Sequence, residues 1–286
     1  MKPPRRPLLA SLAALVTSAC SPAGLLNAVA PRGGISTTTG LAYGEGPRHG
    51  VDVYAPEAAQ GAPVVVFLYG GGWEGGERGM YRFLGATLAA AGLVCVVPDY
   101  RVWPEVGFPA FVQDAAQAVA WAREAAPRHG GNPERLFLMG HSAGAQMATL
   151  LGLNPAYLGA VGLRPGRDLR GVVGLAGPYD FLPLQSETLK QIFGPEELRP
   201  ASQPINFVTA GAPPMLLATG DADTTVLPRN TERLAARLRA AGNQVEAISY
   251  PGLGHAPLMG AFAAPLGFLA PVRRDVLRFI AERSVA

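Results

Sequence analysis

A mostly parallel β-sheet with helices on both faces is predicted for this chain, on three observations. Short apolar runs alternate with helical stretches almost to the end; the strand-like runs are continuous rather than alternating; and 286 residues, 49% of them apolar, suffice for one large domain with its own core. The charged fraction of 16% is too low for a disordered chain. The 36 glycines follow no G-X-Y period, which excludes collagen. Two cysteines cannot build a disulfide scaffold. The net charge of +3 is small and the arginines form no stripe, so no nucleic-acid partner is expected.

The elements follow in order. Val51–Tyr54 reads as a short strand. Pro63–Tyr69 holds Val64, Val65, Val66, Phe67 and Leu68 in an unbroken run, which suits a strand covered on both faces. Met80–Ala91 reads as a helix stopped by Gly92, Leu93–Val97 as a second buried strand, and Phe111–Glu124 as a helix with Trp121 on its apolar face. Arg135–Met139 is a strand and Ala143–Leu151 the helix after it. Val172–Ala176, Met215–Thr219 and Val245–Tyr250 continue the strands, and Thr231–Ala241 and Val272–Arg283 the helices. Pro178–Pro214 is the least regular stretch, with one helix around Glu187–Phe193, and reads as an insertion over the sheet edge able to cover a site. Cys95 lies in an apolar run and reads as a buried core thiol.

The N-terminus reads as an address. Lys2, Arg5 and Arg6 precede the mostly apolar stretch Leu8–Ala19, and Ser18 and Ala19 precede Cys20, the layout of a secretory signal. As a helix that stretch reaches about 18 Å, short of the roughly 30 Å needed to span a bilayer. The position of Cys20 resembles the cleavage point of a bacterial lipoprotein signal, with Thr17 departing from the usual Leu and Ser21 matching the outer-membrane version. The expected division is a signal over residues 1–19, a tether over 20–46 and the folded domain over 47–286, with Cys20 lipidated. Contact with a membrane is expected only through that anchor. The expected location is the bacterial envelope, as an outer-membrane lipoprotein facing the periplasm, with plain secretion as the alternative.

Gly140-His141-Ser142-Ala143-Gly144 has the form G-x-S-x-G and stands between a strand and a helix, the context that gives the motif meaning. The turn is too sharp for side chains two residues either side of Ser142, so both places need Gly. Ser142 is thereby exposed at the tip of the sheet, beside helix N–H groups that favour a developing anion. A serine hydroxyl needs a base. Of the 4 histidines, His49 lies before the first body strand, His129 near a helix end and His141 inside the elbow. His255, in the loop after a late strand, is the base by elimination and position. The carboxylate that orients it follows Met215–Thr219, where Asp221 and Asp223 both stand. Asp221 suits the turn itself and Asp223 the reach to the imidazole, so Asp223 is favoured. The order Ser, Asp, His is that of the α/β-hydrolases.

Tyr69-Gly70-Gly71-Gly72-Trp73 follows the strand that ends at Leu68. Gly71 and Gly72, with Ala143 after the nucleophile, are the expected oxyanion donors; one such N–H is typically worth roughly 2.7–4 kcal/mol. A phosphate loop is excluded because no Gly-Lys-Ser/Thr follows. Neither a His-Glu-x-x-His nor a Cys cluster is present, so no metal or other cofactor is expected.

Taken together, Gly70-Gly71-Gly72-Trp73, Asp99-Tyr100-Arg101, Phe108-Pro109-Ala110 with Asp114, the Ser142 elbow, Gly220-Asp221-Ala222-Asp223 and Gly254-His255 resemble one branch of the α/β-hydrolases. That branch holds hormone-sensitive-lipase-like and feruloyl-esterase-like carboxylesterases and the arylformamidases. The resemblance spans roughly residues 50 to 285. It implies the α/β-hydrolase fold with a small insertion after strand 6, places the carboxylate at Asp223, and gives Asp99 and Arg101 a structural role. Tyr69 departs from the family's usual His, a residue that shapes the loop; Tyr also donates a hydrogen bond, so the oxyanion hole is expected to survive. Trp73, Tyr179 and Leu258 are candidates for the substrate pocket. The expected activity is hydrolysis of small carboxylic esters through an acyl-enzyme. The alternatives are an arylformamidase-like amide hydrolase and, in another class, a non-catalytic binding protein on a hydrolase scaffold, against which the intact triad argues.

Overall fold

The unbroken apolar runs form the centre of an eight-stranded sheet in a computed structural model that describes residues 22–284. The strands are β1 (Ile35–Ala42), β2 (Gly50–Pro56), β3 (Ala62–Leu68), β4 (Val94–Pro98), β5 (Gly131–His141), β6 (Gly171–Leu175), β7 (Met215–Gly220) and β8 (Val245–Tyr250). Their spatial order is β1-β2-β4-β3-β5-β6-β7-β8. From β4 onward every neighbouring pair is parallel, and β2 joins β1 and β4 antiparallel.

Burial explains why these runs lack alternation. Every residue of β4, β6 and β7 is buried, so helices or loops must cover both faces. The helix Arg82–Ala90 packs on β2 and β4, Ala110–Ala125 on β3 and β5, Ala143–Leu153 on β5 and β6, and Val272–Ser284 on β6 and β7. Arg229–Ala240 covers β7 and β8 with Leu234, Ala235 and Leu238 turned inward. Cys95 is fully buried in β4, and burial raises its thiol pKa far above the usual range, which makes it an inert core residue. Each fully buried Val, Leu or Phe of β3 contributes roughly 1.5–3 kcal/mol.

The expected tether is corrected in part. Pro22–Ala28 is a short helix, and Ile35–Ala42 is an edge strand paired to β2, so the folded body begins before residue 47. Most β1 side chains are exposed, so the strand carries no hydrophobic signal; its Thr37-Thr38-Thr39 run was the remaining sign of extended chain. The pairing slips between Thr38 and Leu41, around Gly40 with a φ of 71°. The signal segment and Cys20 lie outside the described residues.

Pro178–Pro214 lies between β6 and β7 and contains the helix Glu187–Phe193, as read from the sequence, followed by 3-10 turns at Glu196–Ser202 and Pro204–Phe207. Phe108 N–H donates to Ile192 O at 2.8 Å, and Asn230 Oδ1 accepts from Tyr179 and Asp180 N–H, so this segment is fastened to the body at its start and near its middle.

Candidate active site

The four segments with chemistry leave the carboxyl ends of parallel strands: the Gly70–Trp73 loop after β3, Ser142 after β5, Asp223 after β7 and His255 after β8. This is the side of a doubly covered sheet where ligands bind.

Ser142 has φ 55° and ψ −124°, a conformation that a side-chain-bearing residue adopts only under constraint. The two glycines supply the constraint. A Cβ on Gly140 would stand 2.2 Å from Gly144 O, and one on Gly144 would stand 2.0 Å from Leu68 O. The turn closes only because neither exists. Ser142 N–H donates to Leu175 O at 2.9 Å, which pins the elbow to β6. Ala143 heads the buried helix Ala143–Leu153, so its N–H belongs to the positive end of that helix.

The Gly70–Trp73 loop presses on the elbow. A Cβ on Gly70 would lie 2.9 Å from Ser142 Cβ. Gly71 and Gly72 have positive φ of 139° and 64°, and among the described residues no protein acceptor takes either N–H. Ala143 N–H likewise has no protein acceptor among the described residues.

Behind that loop Tyr69, the departure noted in the sequence, has its own anchor. Its ring stacks between Tyr81 and Tyr100, at centroid distances of 5.6 and 4.6 Å. Its hydroxyl donates to Asp99 Oδ1 at 2.9 Å. Burial, with the Asp99 charge beside it, raises its pKa well above the usual range and keeps the proton in place. Tyr100 hydroxyl donates to Tyr69 O at 2.6 Å. Asp99 also accepts from Arg78 N–H at 2.7 Å and pairs with the Arg78 guanidinium, which donates to Asp52 Oδ1 at 2.9 Å. Arg101 binds Asp114 through two side-chain hydrogen bonds of 2.9 and 2.7 Å. Asp99 and Arg101 thus hold structure.

His255 begins the short helix His255–Gly260, where the sequence suggested a plain loop. Its Nδ1 lies 2.7 Å from Asp223 Oδ2. Asp223 is 2% exposed, and its Oδ1 accepts from the N–H groups of Thr225 and Val226, both at 2.9 Å. Asp221 instead accepts from Gly252 N–H at 2.6 Å and closes the turn. The structure therefore joins His255 to Asp223 and not to Asp221. His49 is drawn elsewhere, 3.3 Å from Asp114 and beneath Tyr43. The Ser142 hydroxyl forms no hydrogen bond with His255 in this conformation, and such contacts commonly tighten only when substrate is bound. Among the described residues no cluster of three or more His, Cys, Asp or Glu is placed to hold a metal ion.

The expected pocket residues are corrected. Tyr179 is fully buried; a Cβ on Gly174 would stand 2.1 Å from its hydroxyl and one on Gly177 2.4 Å from its ring. Leu258 is fully buried on the inner face of its short helix. Trp73 is 4% exposed; its indole stacks on Phe181 at 5.7 Å and meets Phe193 edge-on at 4.8 Å. All three pack the interior rather than line an open pocket.

Gln146 was missed. It is fully buried, accepts from Trp73 Nε1 at 3.3 Å and donates from Nε2 to Ser202 O at 2.7 Å. One side chain thus ties the elbow helix to the Gly70–Trp73 loop and to the inserted segment. The signal was present: an amide side chain inside a fully buried helix whose only other polar residue is Thr149 calls for partners.

Known proteins resemble this chain in sequence and in fold. The BD-FAE family model matches residues 51–238. The chain is 32% identical over 269 residues to esterase LipC of Mycobacterium tuberculosis, covering 84% of this chain and 66% of that protein. It is 28% identical over 240 residues to an isoprenylcysteine alpha-carbonyl methylesterase of Arabidopsis thaliana, covering 76% of this chain and 56% of that one. The chain spans between half and two thirds of the length of these curated relatives. Among solved structures, a truncated carbohydrate esterase from gut microbiota superposes with a TM-score of 0.79 at 24% identity, covering 90% of this chain and 99% of that one. Esterase B of Lactobacillus rhamnosis, inhibited by a tributyrin phosphonate, gives 0.80 at 19%, with 99% and 97% covered. At these identities the two structures speak for the fold.

Proposed function

The chain belongs to the BD-FAE family of α/β-hydrolases, and from that premise we propose that it is a serine hydrolase of small carboxylic esters. Ser142 Oγ attacks the ester carbonyl and passes its proton to His255 Nε2. The carbonyl oxygen becomes an anion held by the N–H groups of Gly71, Gly72 and Ala143. Asp223 keeps the proton of His255 on Nδ1, so that Nε2 is free to accept, and stabilises the imidazolium that results. Collapse of the tetrahedral adduct breaks the ester C–O bond, and the alcohol leaves with the proton from His255. Water then attacks the acyl-Ser142 ester by the same route in reverse. The observation that carries this reading is the strained Ser142 elbow pressed against unpaired loop N–H groups, with His255 held by the buried Asp223.

The test is a substrate screen. The purified protein is expected to hydrolyse p-nitrophenyl esters of short acids, and to turn over an aryl ester faster than the matched aryl formamide. A folded protein that cleaves no ester, or prefers the formamide, contradicts the proposal. We also propose an envelope location, from the residues around Cys20; an intact mass of the native protein that begins at Cys20 and carries acyl chains supports it, and an unmodified N-terminus overturns it.

A further inference from the structure

His141 takes no part in the steps above, yet it stands between the two loops that perform them. It ends β5 directly before the nucleophile. On one side its Nδ1 lies 3.3 Å from the point a Cβ on Gly70 would occupy. On the other its ring faces His255, with centroids 4.7 Å apart and planes tilted by 38°. Its Nε2 lies 3.3 Å from the backbone O of His255. A carbonyl oxygen only accepts, so this hydrogen bond requires the Nε2–H tautomer. Burial, with the neighbouring His255 adding to it and Asp223 opposing, pushes the His141 imidazole down to about 3, so the ring is neutral at ordinary pH.

The chain leading to His255 has little stiffness of its own. Gly252, with a φ of 68°, and Gly254 precede it, and the helix it begins has 6 residues. Asp223 fixes only the ring. The Asp221 carboxylate and the bond from Ala222 N–H to Leu253 O hold the chain as far as Leu253, and at His255 itself His141 is the side chain that reaches the backbone.

We propose that His141 is a positioning residue for the catalytic base: its Nε2–H fixes the His255 backbone, and with it the first turn of the helix His255–Gly260, so that the His255 imidazole is aimed at Ser142. The proposal rests on the serine-hydrolase reading. A neutral ring is required in this place, because a cation would repel the imidazolium that forms on His255 in each half of the reaction.

Two variants and one spectrum test it. Gln places an N–H donor near the His141 Nε2 position, and Leu fills similar space without a donor. His141→Leu is expected to lower kcat for p-nitrophenyl butyrate on the order of 10–100-fold, with KM changed by less than about twofold. His141→Gln is expected to recover most of that loss. Wild-type kcat in His141→Leu, or equal impairment of both variants, overturns the proposal. Should the variants fail to fold, the wild-type protein still decides: nitrogen-15 spectra are expected to show His141 as the neutral Nε2–H tautomer between about pH 5 and 9. An Nδ1–H tautomer, or a charged His141 in that range, overturns it. Failure of the underlying reading shows separately, as ester turnover that survives Ser142→Ala.

Discussion

Ser142→Ala lowers kcat/KM for a short p-nitrophenyl ester by about 10⁶-fold, while the fold and its melting temperature are retained. The size of the effect follows from the role. Without Oγ there is no nucleophile and no acyl-enzyme, and the loop N–H groups can only assist attack by water. The harmlessness to the fold follows from the structure. Among the described residues the hydroxyl forms no hydrogen bond that its loss would leave unpaired. The strained φ of 55° is imposed by the elbow, and Ala carries the same Cβ. Ser142 N–H keeps its bond to Leu175 O. Thermal denaturation beside the kinetic assay separates the two effects; full activity in the variant would overturn the assignment of Ser142.

Asp223→Asn is expected to cost about 10⁴-fold in kcat, with substrate affinity little changed. Asp223 Oδ1 accepts two backbone N–H groups, from Thr225 and Val226, while Oδ2 faces His255 Nδ1. An Asn must keep its carbonyl oxygen toward those two donors, which turns its NH₂ toward His255. The imidazole then has to accept at Nδ1 and carry its proton on Nε2, the tautomer that cannot take the proton of Ser142. Asp221→Asn, by contrast, leaves catalysis nearly unchanged, because Asp221 bonds only the turn at Gly252. Near-equal kcat losses in the two variants would contradict the assignment.

The sequence carried the centre of this molecule better than its margins. The strands read as Val172–Ala176 and Met215–Thr219 were legible because both faces are buried and every position but Thr219 is apolar. β1 was not, because an edge strand with exposed faces needs no apolar residue. Within the site, the elbow, the loop and the Asp223–His255 pair follow from local motif grammar: a glycine is demanded wherever two backbones touch. Tyr69 could be seen as a departure, but its hydrogen-bond partner Asp99 is 30 residues away, and only the fold brings Arg78 to Asp99 and Asp52 to Arg78. The pocket residues Tyr179 and Leu258 were misplaced for a related reason. Being close to a motif along the chain says nothing about which way a side chain turns, and both turn into the core.

The most direct measurement is covalent labelling of the folded protein with a fluorophosphonate, followed by peptide mapping. The account predicts one adduct per chain, on Ser142, loss of ester hydrolysis in step with labelling, and much slower labelling in His255→Ala. An active protein that takes no label at Ser142, or that labels as fast without the His255 imidazole, would contradict it.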